Sequence, residues 1–112
     1  MINVINVKSD SPTIDYALYL IDQEIKCCKS TGTKAIVVIH GYGSHGKGGV
    51  IKDAIRRYLP DLKKKHIIED FLGGEHWGEY NETKLHMCRI CPDLILHENL
   101  SSLNSGVTVI LV

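Results

Sequence analysis

Five apolar residues in succession, Ala35 to Ile39, run directly into His40-Gly41-Tyr42-Gly43-Ser44-His45-Gly46-Lys47-Gly48-Gly49, and a helical pattern follows at once. This junction constrains the fold more than any other stretch. A short run without a polar residue is typical of a strand covered on both faces. The helix, from about Gly49 to Leu59, places Val50, Ile51, Ala54, Ile55, Tyr58 and Leu59 on its buried side, and Pro60 is expected to end it. Glycines let a backbone turn sharply and approach a ligand, while a helix N-terminus offers free N–H groups and a positive dipole end. An anion is the natural guest. A tight turn alone would account for two glycines, but hardly for five in the nine positions from Gly41 to Gly49.

Around this junction the pattern alternates. Ile2 to Val7 is rich in β-branched residues and reads as a first strand. Ser11 and Pro12 open a helix whose apolar face is Ile14, Ala17, Leu18, Ile21, Ile25 and Cys28; Lys26 and Lys29 sit in its last turn and Gly32 stops it. His66 to Leu72 and Val107 to Val112 read as the third and fourth strands. The order β-α-β-α-β-β predicts a single α/β domain: a mixed four-stranded sheet with two helices, which 112 residues suffice to build. Between the last two strands, Gly73 to Gly106 reads as an irregular insertion. It is longer than a structureless loop in a compact domain normally is. Within it Asn81 is placed to cap a short helix through Cys91, and Leu94 to Leu96 to form a short extra strand.

Thirteen basic and thirteen acidic residues cancel, so net charge points to no partner. Their distribution is uneven. Lys47 to Lys65 carries seven basic residues against Asp53 and Asp61, and His66 to Glu98 carries seven acidic residues against Lys84 and Arg89. Two faces of different electrostatic character are expected, either functional or simply solvated. The cysteines, Cys27–Cys28 and Cys88–Cys91, do not resemble a secreted disulfide framework, and no apolar run reaches the roughly 20 residues of a membrane span. With no secretory signal apparent, these features together predict a cytoplasmic protein with reduced thiols and no membrane contact.

Two nucleotide motifs overlap the glycine loop. Gly41 to Gly48 fits G-x-x-x-x-G-K, but Gly48 stands where the magnesium-binding Ser or Thr belongs. Gly41, Gly43 and Gly46 fit G-x-G-x-x-G, with Asp70 as the ribose-binding carboxylate at the end of the next strand. Too little chain follows for a second mononucleotide half.

The stretch Ile36 to Leu59, IVVIHGYGSHGKGGVIKDAIRRYL, resembles the signature of the small MutS-related (Smr) domain: an apolar strand, His-Gly-x-Gly, a glycine-bearing turn, and a helix ending in a Tyr-Leu-like pair. Asn104 to Leu111 is similar to that family's closing glycine turn and Val-Thr-Val strand, and the helix from Ser11 to Lys29 falls where the family has its first helix. The resemblance implies the fold of the C-terminal domain of initiation factor three. It also implies nucleic-acid binding, RNA or DNA, with nicking endonuclease or ribonuclease activity in some members. Two departures stand out. Asn6-Val7-Lys8 replaces the family's Asp-Leu-His or Asp-Leu-Arg, and a long insertion replaces a short connection before the last strand.

If phosphodiesters are cut, His40 is the acid–base candidate, since an unperturbed imidazole titrates near pH 6.5. The alternative for His40 is a strand-end histidine whose ring bonds nearby backbone. His45 would be the second proton carrier. Lys8 and Lys47, with Gly41, Gly43, Ser44, Gly46 and Gly48, would hold the phosphate, and Lys52 and Arg56 would extend a phosphate-contacting track along the helix. Without a carboxylate at Asn6, histidine-assisted RNA cleavage through the 2′-hydroxyl is favoured over a magnesium route. The competing function is a non-catalytic nucleic-acid or ribosome-binding module. No cofactor is called for. A zinc ion is the one candidate metal, on His86, Cys88, Cys91 and His97, although this spacing fits no standard finger. Trp77 and Tyr80 read as anchors of the insertion or as stacking surfaces.

Overall fold

The computed structural model describes residues 1–10, 13–41 and 47–112. Four strands form one sheet: β1 (Ile2–Asn6), β2 (Ala35–Ile39), β3 (Asp70–Gly73) and β4 (Val107–Leu111), in the spatial order β1-β2-β4-β3. β1 and β2 run parallel, with Asn6 opposite Ile39. β4 runs antiparallel to both its neighbours, so that Val107 lies opposite Ile39, and Thr108 opposite Val38 on one side and Gly73 on the other. The parallel strands therefore end at the sheet edge where β4 begins and β3 finishes. That edge carries the site described below.

Alternation along the strands divides the apolar residues between two faces. Ile36, Val38 and Ile110 face the helices α2 (Ile14–Thr31) and α3 (Lys47–Lys64), whose Ala17, Ile21, Ile25, Cys28, Ile51, Ile55, Leu59 and Leu62 complete one core. Ala35, Val37, Val107, Val109 and Leu111 face the other way, onto Trp77, Met87, Cys91, Leu94 and Leu100. All five of the latter come from the stretch read as an irregular insertion. Two single-turn 3-10 segments (Gly74–His76 and Pro92–Leu94), α4 (Glu82–Ile90) and α5 (Glu98–Ser101) form this second layer. Asn81 caps α4 by accepting the Lys84 N–H at 2.7 Å. Residues 94–96 form no strand. Pro92 opens a 3-10 turn, and the Ile95 N–H is already spent on Pro92 O.

Element boundaries depart from the sequence reading at several places, some through local caps and turns and some through tertiary packing. Val7 opens a short helix, α1 (Val7–Asp10), because Asn6 Oδ1 accepts the Lys8 N–H at 3.0 Å. Thr13, rather than Ser11, caps α2 by accepting the Tyr16 N–H; Ser11 and Pro12 lie outside the described residues. α3 begins at Lys47, two residues earlier than expected, and continues through Pro60 to Lys64. Proline removes one helical hydrogen bond, but stopping there would expose Leu62, which is 4 % exposed beside the fully buried Leu59. The third strand is shorter than His66 to Leu72. The N–H groups of Ile67 and Ile68 return to Leu62 O, and His66 adopts a positive φ of 58°, so the chain is still turning there. Asp70 consequently starts β3 and bonds Lys63 at 3.1 Å, at the opposite end of the sheet from Gly41. The carboxylate required by a dinucleotide fingerprint is thus in the wrong place.

If the second layer is true core, Leu94→Ala, which empties a fully buried position, will lower the unfolding free energy by about 2–5 kcal/mol in urea titration. The exposed Val4→Ala should change it by less than about 0.5 kcal/mol. Equal, small effects at both positions would show that residues 74–106 do not cover the sheet.

Candidate functional site

β2 delivers His40 to the sheet edge, where its N–H and that of Gly41 both donate to Gly106 O, at 2.9 and 3.1 Å. Gly41 turns with φ of 85°, a left-handed conformation that excludes most side chains. Gly106 permits the close approach of the two segments, because a Cβ there would sit 3.1 Å from the Gly41 carbonyl carbon. Asn104 Oδ1 fixes the Gly106 N–H at 2.7 Å. The stem of the exposed Lys8 lies over Gly41, its Cδ 3.4 Å from where a Cβ would be. Gly43, Ser44, His45 and Gly46 lie outside the described residues, as does the side chain of Lys47; Gly48 belongs to the first turn of α3.

His40 is fully buried, and both ring nitrogens are engaged. Nδ1 lies 2.9 Å from Gly41 O, and a carbonyl only accepts, so Nδ1 carries the proton. Nε2 then accepts from the Thr108 hydroxyl at 2.8 Å. The same hydroxyl oxygen accepts from Arg56 Nε at 3.2 Å. Arg56 in turn grips Glu75 with both terminal nitrogens, Nη2 to Oε1 at 2.7 Å and Nη1 to Oε2, and also donates to Val107 O and Ser105 O. Every donor direction from Glu75 to Gly41 O is thereby specified. Burial, reinforced by the nearby Arg56 and Lys52 charges and only partly opposed by the Gly41 carbonyl, lowers the His40 pKa to about 4. The Arg56 hydrogen bonds hold Glu75 down at about 2 despite its partial burial. At neutral pH the chain is a neutral imidazole, a hydroxyl and a closed ion pair.

The outcome for the expected residues is mixed. His40, Gly41, Lys8, Lys52 and Arg56 come together at one edge. Arg56, however, is not an open member of a cationic track: its fork is closed on Glu75, because residues 74–76 fold back beside β4. His40 adopts the geometry of a ring bonded to backbone rather than that of an open proton carrier. The zinc candidates do not converge. His86 bonds Glu69 at 2.6 Å, Cys91 Sγ lies 3.7 Å from Met1 O, His97 Nδ1 accepts the Asn99 N–H, and burial pushes the Cys88 thiol pKa up, away from the thiolate a metal needs. Among the described residues no three His, Cys, Asp or Glu side chains group around a metal position. Trp77 is buried beneath the Lys84 ammonium, whereas Tyr80 is 92 % exposed.

Sequence reasoning missed Thr108 and Glu75. Thr108 had a signal, being the one polar residue in the closing apolar strand. Glu75 had none, because only the path of the second layer brings it to Arg56.

A neutral buried histidine makes stability depend on pH with a definite sign. Between the folded pKa of about 4 and the ordinary 6.5, the unfolded chain binds the extra proton. Stability from this group is complete above pH 6.5 and is lost as pH falls toward 4, with a slope of at most about 1.4 kcal/mol per pH unit. Glu75 contributes only at lower pH, between 4.5 and about 2. Urea titrations from pH 7 to 5 should show this slope and its disappearance in His40→Asn. Thr108→Val should cost about 1–3 kcal/mol at pH 7, because it leaves Nε2 of His40 without a donor. A slope that persists in His40→Asn would place the titrating group elsewhere.

Residues 12–79, more than half of the chain, match the family model described as the Smr domain. The crystal structure of the Smr domain of Thermus thermophilus MutS2 has a similar fold, with a TM-score of 0.58 and 19% sequence identity over 97% of this chain and 95% of that one. No curated protein sequence matches. A mixed sheet with the His40–Gly41 turn at its edge and the family match across that turn lead to one assignment: the chain belongs to the Smr domain family.

Proposed function

We propose that this Smr domain binds nucleic acid, RNA or DNA, by seating backbone phosphates at the edge where β1, β2 and the start of α3 meet. In open α/β sheets the crevice beyond the carboxyl ends of parallel strands is the usual ligand position. Here β1 and β2 end together at Asn6 and Ile39, and α3 starts next to them. α3 has no acidic residue in its first turn, so its positive dipole end is unopposed by side-chain charge from that turn. Lys8 overlies Gly41, and Lys52 lies one turn and a half into α3. The loop residues Gly43, Ser44, Gly46 and Lys47 would supply the remaining donors, and RNA of the ribosome is one target with this chemistry. Four free thiols are in keeping with a reducing, cytoplasmic setting.

The observation that carries a binding role over a catalytic one is the state of His40. An acid–base group must reach the proton it moves. His40 is 0 % exposed, with Nδ1 on Gly41 O and Nε2 on Thr108. Cleavage through His40 would require breaking that arrangement. In the binding reading, His40 instead sets the angle at which the chain enters the glycine loop, while Lys8 and the loop meet phosphate. Asn6 is consistent with this, since its Oδ1 closes the β1–α1 turn and supplies no carboxylate.

Binding of a labelled single-stranded RNA should weaken steeply with salt, by roughly 0.7 log units per tenfold salt for each phosphate neutralised. Lys8→Ala should reduce that slope by about one contact. Incubation of RNA and of supercoiled plasmid should leave both intact with wild type and with His40→Ala. Salt-independent affinity would remove the phosphate reading. Cleavage by wild type and not by His40→Ala would make the domain a nuclease.

A further inference from the structure

Arg56 and Lys52 were expected to contact phosphate, yet Arg56 holds a carboxylate of its own chain. Bidentate arginine pairs have nearly the same geometry with carboxylate and with phosphate. We propose that Arg56 and Lys52 form a phosphate seat that Glu75 occupies in the free protein, and that a backbone phosphate of bound nucleic acid displaces Glu75 from it. This rests on the nucleic-acid reading above and specifies how the same edge is regulated.

Four observations support it. First, the pair is reached from solvent: the side chains of Arg56 and Glu75 are 23 % and 30 % exposed. Second, the guanidinium stays aimed without Glu75, because Thr108 Oγ1 and Val107 O hold Nε and Nη2, both at 3.2 Å. Loss of the carboxylate therefore opens a preorganised fork instead of freeing a long side chain. Third, the Lys52 charge lowers the pKa of both Glu75 and His40, so a second cation acts on the carboxylate that Arg56 holds. Fourth, the half-exposed His76, whose Nδ1 lies 2.7 Å from Glu79 Oε2, has its Nε2 4.0 Å from Glu75 Oε2 and, when protonated, offers a displaced Glu75 a second partner. Gly73 keeps the place open. A Cβ there would stand 2.7 Å from Arg56 Nη2 and 2.5 Å from Glu75 Oε1.

The carboxylate thus competes with phosphate for the same donors. Only a ligand presenting several phosphates, one of them at Lys8, displaces it efficiently, since a single anion must overcome a tethered competitor. The seat therefore sharpens the preference for polymeric nucleic acid over free anions.

The test compares wild type with Glu75→Gln, which keeps size and one acceptor but removes the charge. In fluorescence anisotropy with a fluorescein-labelled single-stranded RNA, Glu75→Gln should bind several-fold tighter. Its log affinity should fall more steeply with salt by about 0.7 per added phosphate contact. Equal or weaker binding by a Glu75→Gln protein whose circular dichroism is native overturns the proposal. Should that variant not fold, Glu75→Asp retains the charge but cannot span the fork, and it should also bind more tightly than wild type. An NMR titration with inorganic phosphate reads the seat without RNA: the Arg56 Nε–H resonance should saturate at lower phosphate in Glu75→Gln than in wild type. No response in either protein overturns the seat even if RNA binds elsewhere. A phosphate response without RNA binding removes the nucleic-acid reading and leaves the seat standing.

Discussion

The two-sided apolarity of β2 and β4 governs this molecule. Ala35 to Val38 and Val107 to Leu111 are buried throughout, and within these runs only Thr108 is polar. Such strands cannot leave either face in water. α2 and α3 cover one side, and the other requires as much apolar surface again. The chain between β3 and β4 supplies it through Trp77, Met87, Cys91, Leu94 and Leu100. The length of that connection follows from the sheet it has to cover. Its route also settles the chemistry at the edge, for leaving β3 through Gly73 and Gly74 brings Glu75 onto Arg56.

The polar interior is correspondingly economical. Thr108 points to the α2–α3 side, where its hydroxyl joins a strand-end histidine to a helix arginine. Each link satisfies a group that burial would otherwise penalise, and together they fix the His40 tautomer. The cost is chemical freedom, because both nitrogens of the imidazole are committed, one to Gly41 O and one to Thr108. In the proposed reading, ligands would meet Lys8 over Gly41 and whatever of Lys52 and Arg56 is not held by Glu75.

Much of this arrangement could be read from residues. The apolar run before His40, the periodic face of α2 with Gly32 behind it, and the Asn81 cap each follow from local physics that tertiary structure did not override. The His40–Gly49 segment carried the family resemblance. Other features were beyond local rules. Pro60 is a helix breaker by any local criterion, and only the burial of Leu62 keeps α3 going. The second layer consists of pieces three to nine residues long, too short to display a period, so it read as irregular. Yet the run at Ala35 already called for a cover on both faces, and Gly73 to Gly106 was the stretch of chain not otherwise assigned. Among the described residues the zinc candidates do not group, for a related reason. Cys88 and Cys91 both pack against the second core, but α4 leaves His86 outside with Glu69, and His97 caps α5.

Phosphate is proposed to meet this protein at the edge formed by β1, β2 and α3. Photocrosslinking to an RNA containing 4-thiouridine, followed by mass spectrometry of the tryptic peptides, tests it most directly. Adducts should concentrate on the peptides spanning residues 35–56, with Lys8 on the neighbouring segment. Adducts confined to the exposed face of α2 around Tyr16 and Tyr19, or to α4 beside Tyr80, would contradict it.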